Sequence, residues 1–255
     1  MNMRDIDAYA NAYSADYGFE SVMVHYRRRQ ILDTLRAYRP NTVVEVGCGS
    51  EFLYKHYIAQ NGVAERWIIV EPSVNFAEGA RAANMPNAVI LQMGIEEAAT
   101  SIAALLGGPP DQVICSSLLH EVADADRVVA CIAGLLGSSG RLHVNVPNAG
   151  SMHRRLAVAM GLIKDASELS ARNQSLQQHN VFTIDTLKSL LDRHQLVPDD
   201  MDGYLIKPFT HKQMEDICVI LGTDEQSVLD GLNKLGRAYP EWASEIYINA
   251  KRKLT

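Results

Sequence analysis

Several things are scarce in this chain of 255 residues, and each scarcity removes a class of function. No apolar run approaches the roughly twenty residues that a membrane-spanning helix needs, although 47% of the residues are hydrophobic. Positive charge is in short supply: 24 Lys and Arg stand against 30 Asp and Glu, for a formal charge of -6 and a pI near 5.7. Nucleic-acid binding is driven largely by phosphate neutralisation, so DNA and RNA are unexpected partners. Cysteine is sparse too. Cys48, Cys115, Cys131 and Cys218 are widely spaced, with no paired metal-ligand pattern, and read as buried reduced thiols. Met1 to Asp16 carries Arg4, Asp5, Asp7 and Asp16 without the apolar centre of a secretory signal. The expectation is a cytoplasmic protein off the membrane, long enough to bury one large core and a modest cap.

What the chain does have is concentrated in TVVEVGCGSEFL, Thr42 to Leu53. Val43, Val44 and Val46 make a short β-branched strand, and Gly47 and Gly49 let the backbone turn tightly beside a ligand. Glu45 sits just before the turn. A dinucleotide fingerprint would place a third glycine three positions after Gly49, where this chain has Phe52. Nicotinamide or flavin binding is therefore disfavoured.

About twenty residues further on, a second apolar run, Trp67 to Val70, ends in Glu71 and Pro72. A carboxylate at the end of strand two can accept both hydroxyls of a ribose. Further runs cover Val89 to Gly94, then Gln112 to Cys115 followed by SSLLHEV, then Arg141 to Val146 after the loop GLLGSSG. Apolar runs alternating with helical segments predict an α/β fold with a mostly parallel sheet.

The motifs VVEVGCGSEF, IIVEPS, MGIEE, DQVICSSLLHEV and GLLGSSGRLHVNVPN, in that order, resemble those of the class I S-adenosylmethionine-dependent methyltransferases of the bacterial small-molecule, glycan or peptide natural-product type. The resemblance is best over Asn41 to Asn148. It implies a Rossmann-like, seven-stranded, mostly parallel sheet with one antiparallel strand and helical cap insertions, and S-adenosylmethionine as cofactor. It implies that Glu45, Gly47 and Gly49 cradle the methionine half. Glu71, with Pro72 after it, would hold the ribose; Ile95 and Glu96 would border the adenine; Cys115 and Ser116 would lie near the sulfonium.

Outside that core lie three added pieces. The whole chain, 1–255, reads as one domain made of an N-terminal helical cap (1–39), a cofactor-binding core (40–148), a lid after strand five (149–181) and a helical insertion between the last two strands (210–238). In the first piece Val24, Arg28, Ile31 and Leu35 recur at helical spacing, which puts Arg28 on the sheet-facing side, suited to the methionyl carboxylate. The second contains SMHRRLAVAMGLI and the polar run SARNQSLQQHNVF, a lid candidate with His153, Arg154 and His179 as its useful residues. In the third, Thr183 to His194 reads as a helix N-capped by Thr183, Leu196 to Pro208 as a strand interrupted by PDDMDG, and Ser244 to Lys251 as the last strand. The two insertion helices between them complete the pocket or form a homodimer face. Tyr26, Arg154 and Tyr204, one from each piece, are the candidate acceptor-binding residues.

Methyl transfer from a sulfonium is an in-line displacement in which positioning can supply most of the acceleration. A hydroxyl acceptor also needs a base, and histidine is the natural one. His120, His153 and His179 are the candidates, while His143, inside strand five, reads as a buried structural residue. Asp124 and Asp126 are the one acidic pair near strands four and five, and no metal is expected. CSSLL stands where an NPPY-type element would follow strand four, which disfavours methylation of a planar base or an amide. The expected reaction is O-methylation of a hydroxyl or carboxylate on a small molecule, glycan or peptide natural product. An N-methyltransferase, a non-catalytic cofactor-binding subunit and a nicotinamide oxidoreductase are the alternatives.

Overall fold

The structure, a computed structural model, describes residues 18–169 and 178–253. A long helix α1 (Glu20–Tyr38) leads into β1 (Thr42–Val46), α2 (Leu53–Ala59), β2 (Arg66–Val70), α3 (Val74–Ala82), β3 (Ala88–Leu91), α4 (Ile95–Leu106), β4 (Gln112–Ser116), α5 (Ala125–Leu135) and β5 (Arg141–Pro147). Then follow α6 (Met152–Ala159), α7 (Ile184–Arg193), β6 (Leu196–Tyr204), α8 (His211–Leu221), α9 (Glu225–Ala238) and β7 (Glu245–Arg252). The seven strands form one sheet in the order β3-β2-β1-β4-β5-β7-β6, with β7 antiparallel to both its neighbours and the other pairs parallel. This is the expected architecture. The order reverses between β1 and β4, and in an open α/β sheet ligands bind beyond the carboxyl ends of the strands at that place.

The central strands are apolar on both faces because helices cover both faces. Val44, Val46, Val113, Cys115, Val144 and Ile248 pack against Ile102 of α4, Val128 and Ile132 of α5, and Leu187, Leu190 and Leu191 of α7. On the opposite face Val43, Trp67, Ile69 and Ile114 meet Ile31, Leu32 and Leu35 of α1 and Tyr54 and Tyr57 of α2. A third cluster, Phe19, Met23, Tyr26, Tyr204, Leu205, Met214, Leu229 and Tyr247, joins α1 to α8, α9 and the end of β6. The N-terminal helix and the late insertion thus share one apolar core. Local signals start the helices where the sequence places them: Thr183 caps α7 in a reciprocal box with Thr186, Thr210 does the same with Gln213 for α8, and Asp124 accepts from the Arg127 amide.

Two expectations need correction. The acidic segment PDDMDG does not interrupt strand six: β6 is continuous over Leu196–Tyr204, with one register shift between Pro198 and Asp200. An edge strand tolerates proline at a bulge, and its acidic residues find partners across the ladder. Asp199 pairs with Arg141, and Asp200 accepts from Asn249 Nδ2 at 2.9 Å and Tyr247 Oη at 3.3 Å. On α1, the arginine turned to the sheet is Arg27, which is buried, while Arg28 lies at the margin. The reason is that the face of α1 over β5 and β7 is polar rather than apolar. There Arg27, Gln30 and Thr34 are buried opposite His143, Asn145, Glu245 and Asn249. His143 is nearly inaccessible and bonded to Asn249 Oδ1 at 2.8 Å, and burial pushes it down to about 4. That is the structural role expected of it. Among the described residues no helix is long and apolar enough to cross a membrane.

Candidate functional site: a glycine loop and a buried polar hub

The loop after β1 adopts conformations that explain both glycines. Gly47 has φ +77° and Gly49 φ +56°, a region L side chains rarely enter. A Cβ on Gly47 would meet Leu118 at an ordinary 3.5 Å, so backbone angle rather than crowding demands glycine there; over Gly49 there is open space within 4 Å. Phe52, which stands where a dinucleotide fingerprint has its third glycine, lies against Gly79 of α3, whose Cβ would come within 3.2 Å of the ring.

Two buried carboxylates hold this loop. Glu71 Oε2 accepts from the Cys48 amide at 3.0 Å and Oε1 from the Ser73 amide at 2.9 Å, which ties the end of β2 to the glycine turn. Burial raises the Glu71 carboxyl, and those two amides oppose the shift. Glu45 Oε2 accepts from Trp67 Nε1 at 2.8 Å, and the indole stacks on Tyr54 at 4.4 Å. Burial pushes Glu45 up to about 7, opposed by the Trp67 bond. With Trp67→Phe that donor is lost, so Glu45 should titrate still higher and the protein should lose about 1.5–3 kcal/mol at alkaline pH, where the carboxylate must stay charged without it. Because the folded value is raised, stability is fully present in acid and falls as pH rises, and urea melts at two pH values check the difference.

Of the remaining cofactor candidates, Arg28 Nη2 donates to Glu51 Oε2 at 2.6 Å, at the rim of the loop. Ile95 is buried in the helix-covered core, while Glu96 and Pro72 are exposed. Cys115 is a correction: its thiol faces that same core, is completely inaccessible and is pushed up to about 12 by burial. Ser116, half-buried at the tip of β4, is the member of the pair with an accessible side chain. The period of two in a strand sends neighbours to opposite faces, and here the even face belongs to the loop.

The three histidines are not equivalent. His120 is buried just beyond β4, with Nε2 3.6 Å from Glu121 Oε1. Its carbonyl accepts from the backbone amides of His179 and Asn180 at 3.0 and 3.2 Å, and Asn180 Nδ2 adds bonds to the Leu119 and Val122 carbonyls at 3.1 and 2.7 Å. His120 and His179 are thereby brought together, with the His179 side chain exposed. His153 opens α6, its Nδ1 3.1 Å from Ser151 Oγ. Burial, with the charges of Lys207, Arg154 and His211, pushes it down to about 3. Burial thus favours its neutral form. Of the expected lid, 170–177 lie outside the described residues. Arg154, half-buried, donates through Nε to the Ala166 carbonyl at 2.7 Å and through Nη2 to the Glu168 carbonyl, so its guanidinium holds the segment after α6.

Tyr26 and Tyr204 are both nearly inaccessible, which is at odds with direct acceptor contact. Tyr26 Oη donates to Asp230 Oδ1 at 3.0 Å in α9, and Tyr204 Oη to Glu245 Oε2 at 2.6 Å. Glu245 is a hub the sequence did not disclose. It also receives Arg27 Nε at 2.9 Å, Arg27 Nη2 and Asn145 Nδ2 at 3.2 Å. Arg27 meets Glu20 as well, at 2.9 Å. Burial would raise Glu245, but Arg27 overrides it and holds the carboxyl below its ordinary value. The signal available in sequence was the alternation of SEIYINAK, in which Glu245, Tyr247 and Asn249 share the polar face. Among the described residues no group of three or more His, Cys, Asp or Glu is arranged to hold a metal. Asp124 serves as a cap, and Asp126 pairs with Arg193 and His194.

A family model described as a methyltransferase domain matches residues 23–199, a span that includes the glycine loop, Glu71 and the whole β1–β5 sheet. The chain belongs to the class I S-adenosylmethionine-dependent methyltransferases. A search of curated proteins finds no match. Among solved structures, this methyltransferase resembles the plantazolicin methyltransferase BamL, solved with a triazolic desmethylPZN analog and SAH, with a TM-score of 0.58 and 13% identity over 97% of this chain and 95% of that one. It resembles an S-adenosylmethionine-dependent methyltransferase from Listeria monocytogenes (TM-score 0.56, 14% identity, 89% and 99% covered). A third similar fold comes from the complex between the Haloferax volcanii Trm112 methyltransferase activator and a methyltransferase (TM-score 0.61, 14% identity, 100% of both chains). At these identities the likeness is one of fold.

The family's cofactor fits the residues present. The backbone at Gly49 is open to close approach, the Cys48 amide between the two glycines is fixed by Glu71, and Arg28 bonds Glu51 just after the loop.

Proposed function

We propose that this methyltransferase transfers the methyl group of S-adenosylmethionine to an oxygen, hydroxyl or carboxylate, of a small molecule, glycan or peptide natural product. In this reading the chain is divided as the sequence suggests: cap 1–39, cofactor core 40–148, lid 149–181 and insertion 210–238. Gly47 and Gly49 receive the methionine half with Arg28 near its carboxylate. Glu71 turns to the ribose, Ile95 and Glu96 flank the adenine, and Ser116 stands nearest the reacting centre. When bound, the cofactor supplies an electrophilic methyl on a sulfonium sulfur.

The observation that carries the O-methylation reading is the setting of His120. It follows the tip of β4, is buried, has the Glu121 carboxylate at 3.6 Å, and is clasped by the backbone of His179 and Asn180. A buried imidazole beside a carboxylate can take the proton of a hydroxyl as the new bond to carbon forms, and the carboxylate stabilises the imidazolium that results. His153, whose imidazole burial pushes towards the neutral form, is less suited to that role, and His179, exposed beside His120, meets the acceptor in this reading. A carboxylate acceptor needs no base. A nitrogen acceptor is the second reading, favoured by the Glu121 carboxylate beside His120.

Conversion of S-adenosylmethionine to S-adenosylhomocysteine, measured against panels of hydroxylated, carboxylated and amine-bearing compounds, tests this. Turnover with the first two classes and not the third is expected; turnover confined to amines overturns it. With the acceptor so found, His120→Ala should lower turnover by about 10²- to 10⁴-fold while S-adenosylhomocysteine affinity changes little. His179→Ala should cost less, and His153→Ala least. Equal losses for all three would remove His120 from the role of base.

A further inference from the structure

Arg27 and Arg28 are neighbours in sequence, yet they serve opposite halves of the site. Consecutive helical residues point about 100° apart, so one helix can reach two places at once. Arg28 Nη2 bonds Glu51 Oε2 at 2.6 Å, and Glu51, also 3.3 Å from His56 Nε2, stands between the glycine turn and α2. Arg27 bonds Glu245 at the start of β7 and Glu20 on its own helix. Glu245 in turn receives Tyr204 from β6 and Asn145 from β5, and the Asn145 carbonyl accepts the Ser117 amide at 3.0 Å beyond the tip of β4. Two sets of hydrogen bonds, one on Glu51 just after the glycine turn and one on Glu245 reaching the tips of β4 and β5, are therefore joined through the backbone of α1 at adjacent residues.

The helix that carries both arginines is itself held firmly. The Phe19 amide donates to Glu215 Oε1 at 2.8 Å, Tyr26 donates to Asp230, and Gln30 accepts from Arg237. Met23 and Tyr26 sit in the core shared with α8 and α9. A helix fixed along its length moves as a body, so a shift at one arginine is felt at the other.

We propose that α1 is a strut between the two half-sites, with Arg28 and Arg27 as positioning residues at its two ends of contact: filling of the glycine loop orders the Glu245 hub before the acceptor arrives. The proposal rests on the cofactor reading above. Arg28–Glu51 is partly exposed, so it transmits modestly, whereas the Arg27 end is buried and stiff. Binding energy spent in the loop would in this way be used to order the surface on which the acceptor lands.

The test is hydrogen exchange on the full chain, with and without saturating S-adenosylhomocysteine, beside calorimetry with the same ligand. In the wild type, the ligand should slow exchange both in 46–52 and in 243–248. In Glu51→Gln, at saturation, the slowing in 46–52 should remain and that in 243–248 should be lost. Arg27→Lys, which keeps the charge at the hub but not its two-point grip, should give the same pattern from the other end. Slowing at 243–248 that persists in both variants, or that is missing from the wild type although the ligand binds, overturns the strut. Absence of any binding heat with the wild type overturns the cofactor reading and the strut with it, and is distinguished by the calorimetry alone.

Discussion

Glu71→Ala is expected to weaken S-adenosylhomocysteine binding by about a hundredfold or more while leaving the sheet folded. The carboxylate accepts from the Cys48 and Ser73 amides with or without ligand, so the affinity rests on the ribose hydroxyls it would receive in the proposed reading, and hydrogen bonds to a charged group are each worth about 1.5–3 kcal/mol. One such bond lost is about tenfold or more in affinity. Truncation leaves both amides buried without that acceptor, and the turn that carries Gly47 and Gly49 is no longer pinned to the end of β2. Glu71→Gln, which keeps one carbonyl oxygen, should fall between the two. Titration calorimetry gives the affinities and circular dichroism the fold. Unchanged affinity in the alanine variant would mean that the cofactor lies elsewhere, since neither the loop nor the ribose contact would then depend on this residue.

Arg27→Met should cost more in stability than any other single change considered for this chain. The guanidinium is buried against Glu245 and Glu20, and removal of one partner of a buried pair typically costs about 3–5 kcal/mol because a carboxylate is left desolvated and uncompensated. The pH dependence should change sign as well. In the wild type Arg27 holds Glu245 below its ordinary value despite burial, so this pair stabilises the fold above the unfolded carboxyl value, and that contribution is lost as pH falls through the folded one. Without Arg27 burial is opposed only by the Tyr204 and Asn145 bonds and by His120 and raises Glu245, so the variant should gain stability as the pH is lowered into the range where the carboxyl protonates. Urea denaturation between pH 4 and pH 8 (round values chosen about the ~4.3 of an ordinary glutamate) reads this directly. Glu20 behaves differently beside the same arginine: burial raises it, and Glu245 is the partner that keeps the charge. Parallel pH profiles in wild type and variant would contradict that division. The double change Arg27→Met with Glu245→Leu should recover much of the loss, because a buried pair replaced by apolar groups can be neutral.

The arrangement gives the two halves of the site different physical characters. The cofactor half is built from backbone: two left-handed glycines, amides tied to Glu71, and a strand end braced by Glu45 and Trp67. Such a surface fits one ligand shape and has little freedom to change. The buried hub is built instead from side chains contributed by β5, β6, β7 and α1.

The strands, the capped helices and the glycine turn were determined by the sequence alone, because each depends on residues close together in the chain. The β-branched runs carry a period of two or bury both faces, Thr183 finds its partner three residues on, and the glycine turn needs two residues that accept positive φ. Even Glu71 was legible, since a doubly wound sheet places strand two beside strand one regardless of detail. The buried polar hub depended on tertiary structure. Arg27 and Glu245 are 218 positions apart, and Tyr204 and Glu245 are 41; no local pattern states that they meet. The arginine of α1 that turns inward was misplaced by one residue because apolar periodicity was sought on a face that is polar. Tyr26 and Tyr204 looked like ligand contacts and are bonded to Asp230 of α9 and Glu245 of β7, and Cys115 sits on the strand face that turns from the loop. Local chemistry writes the backbone of this protein, and long-range packing decides which charges are buried together, because only the folded sheet sets the distance over which two charges act.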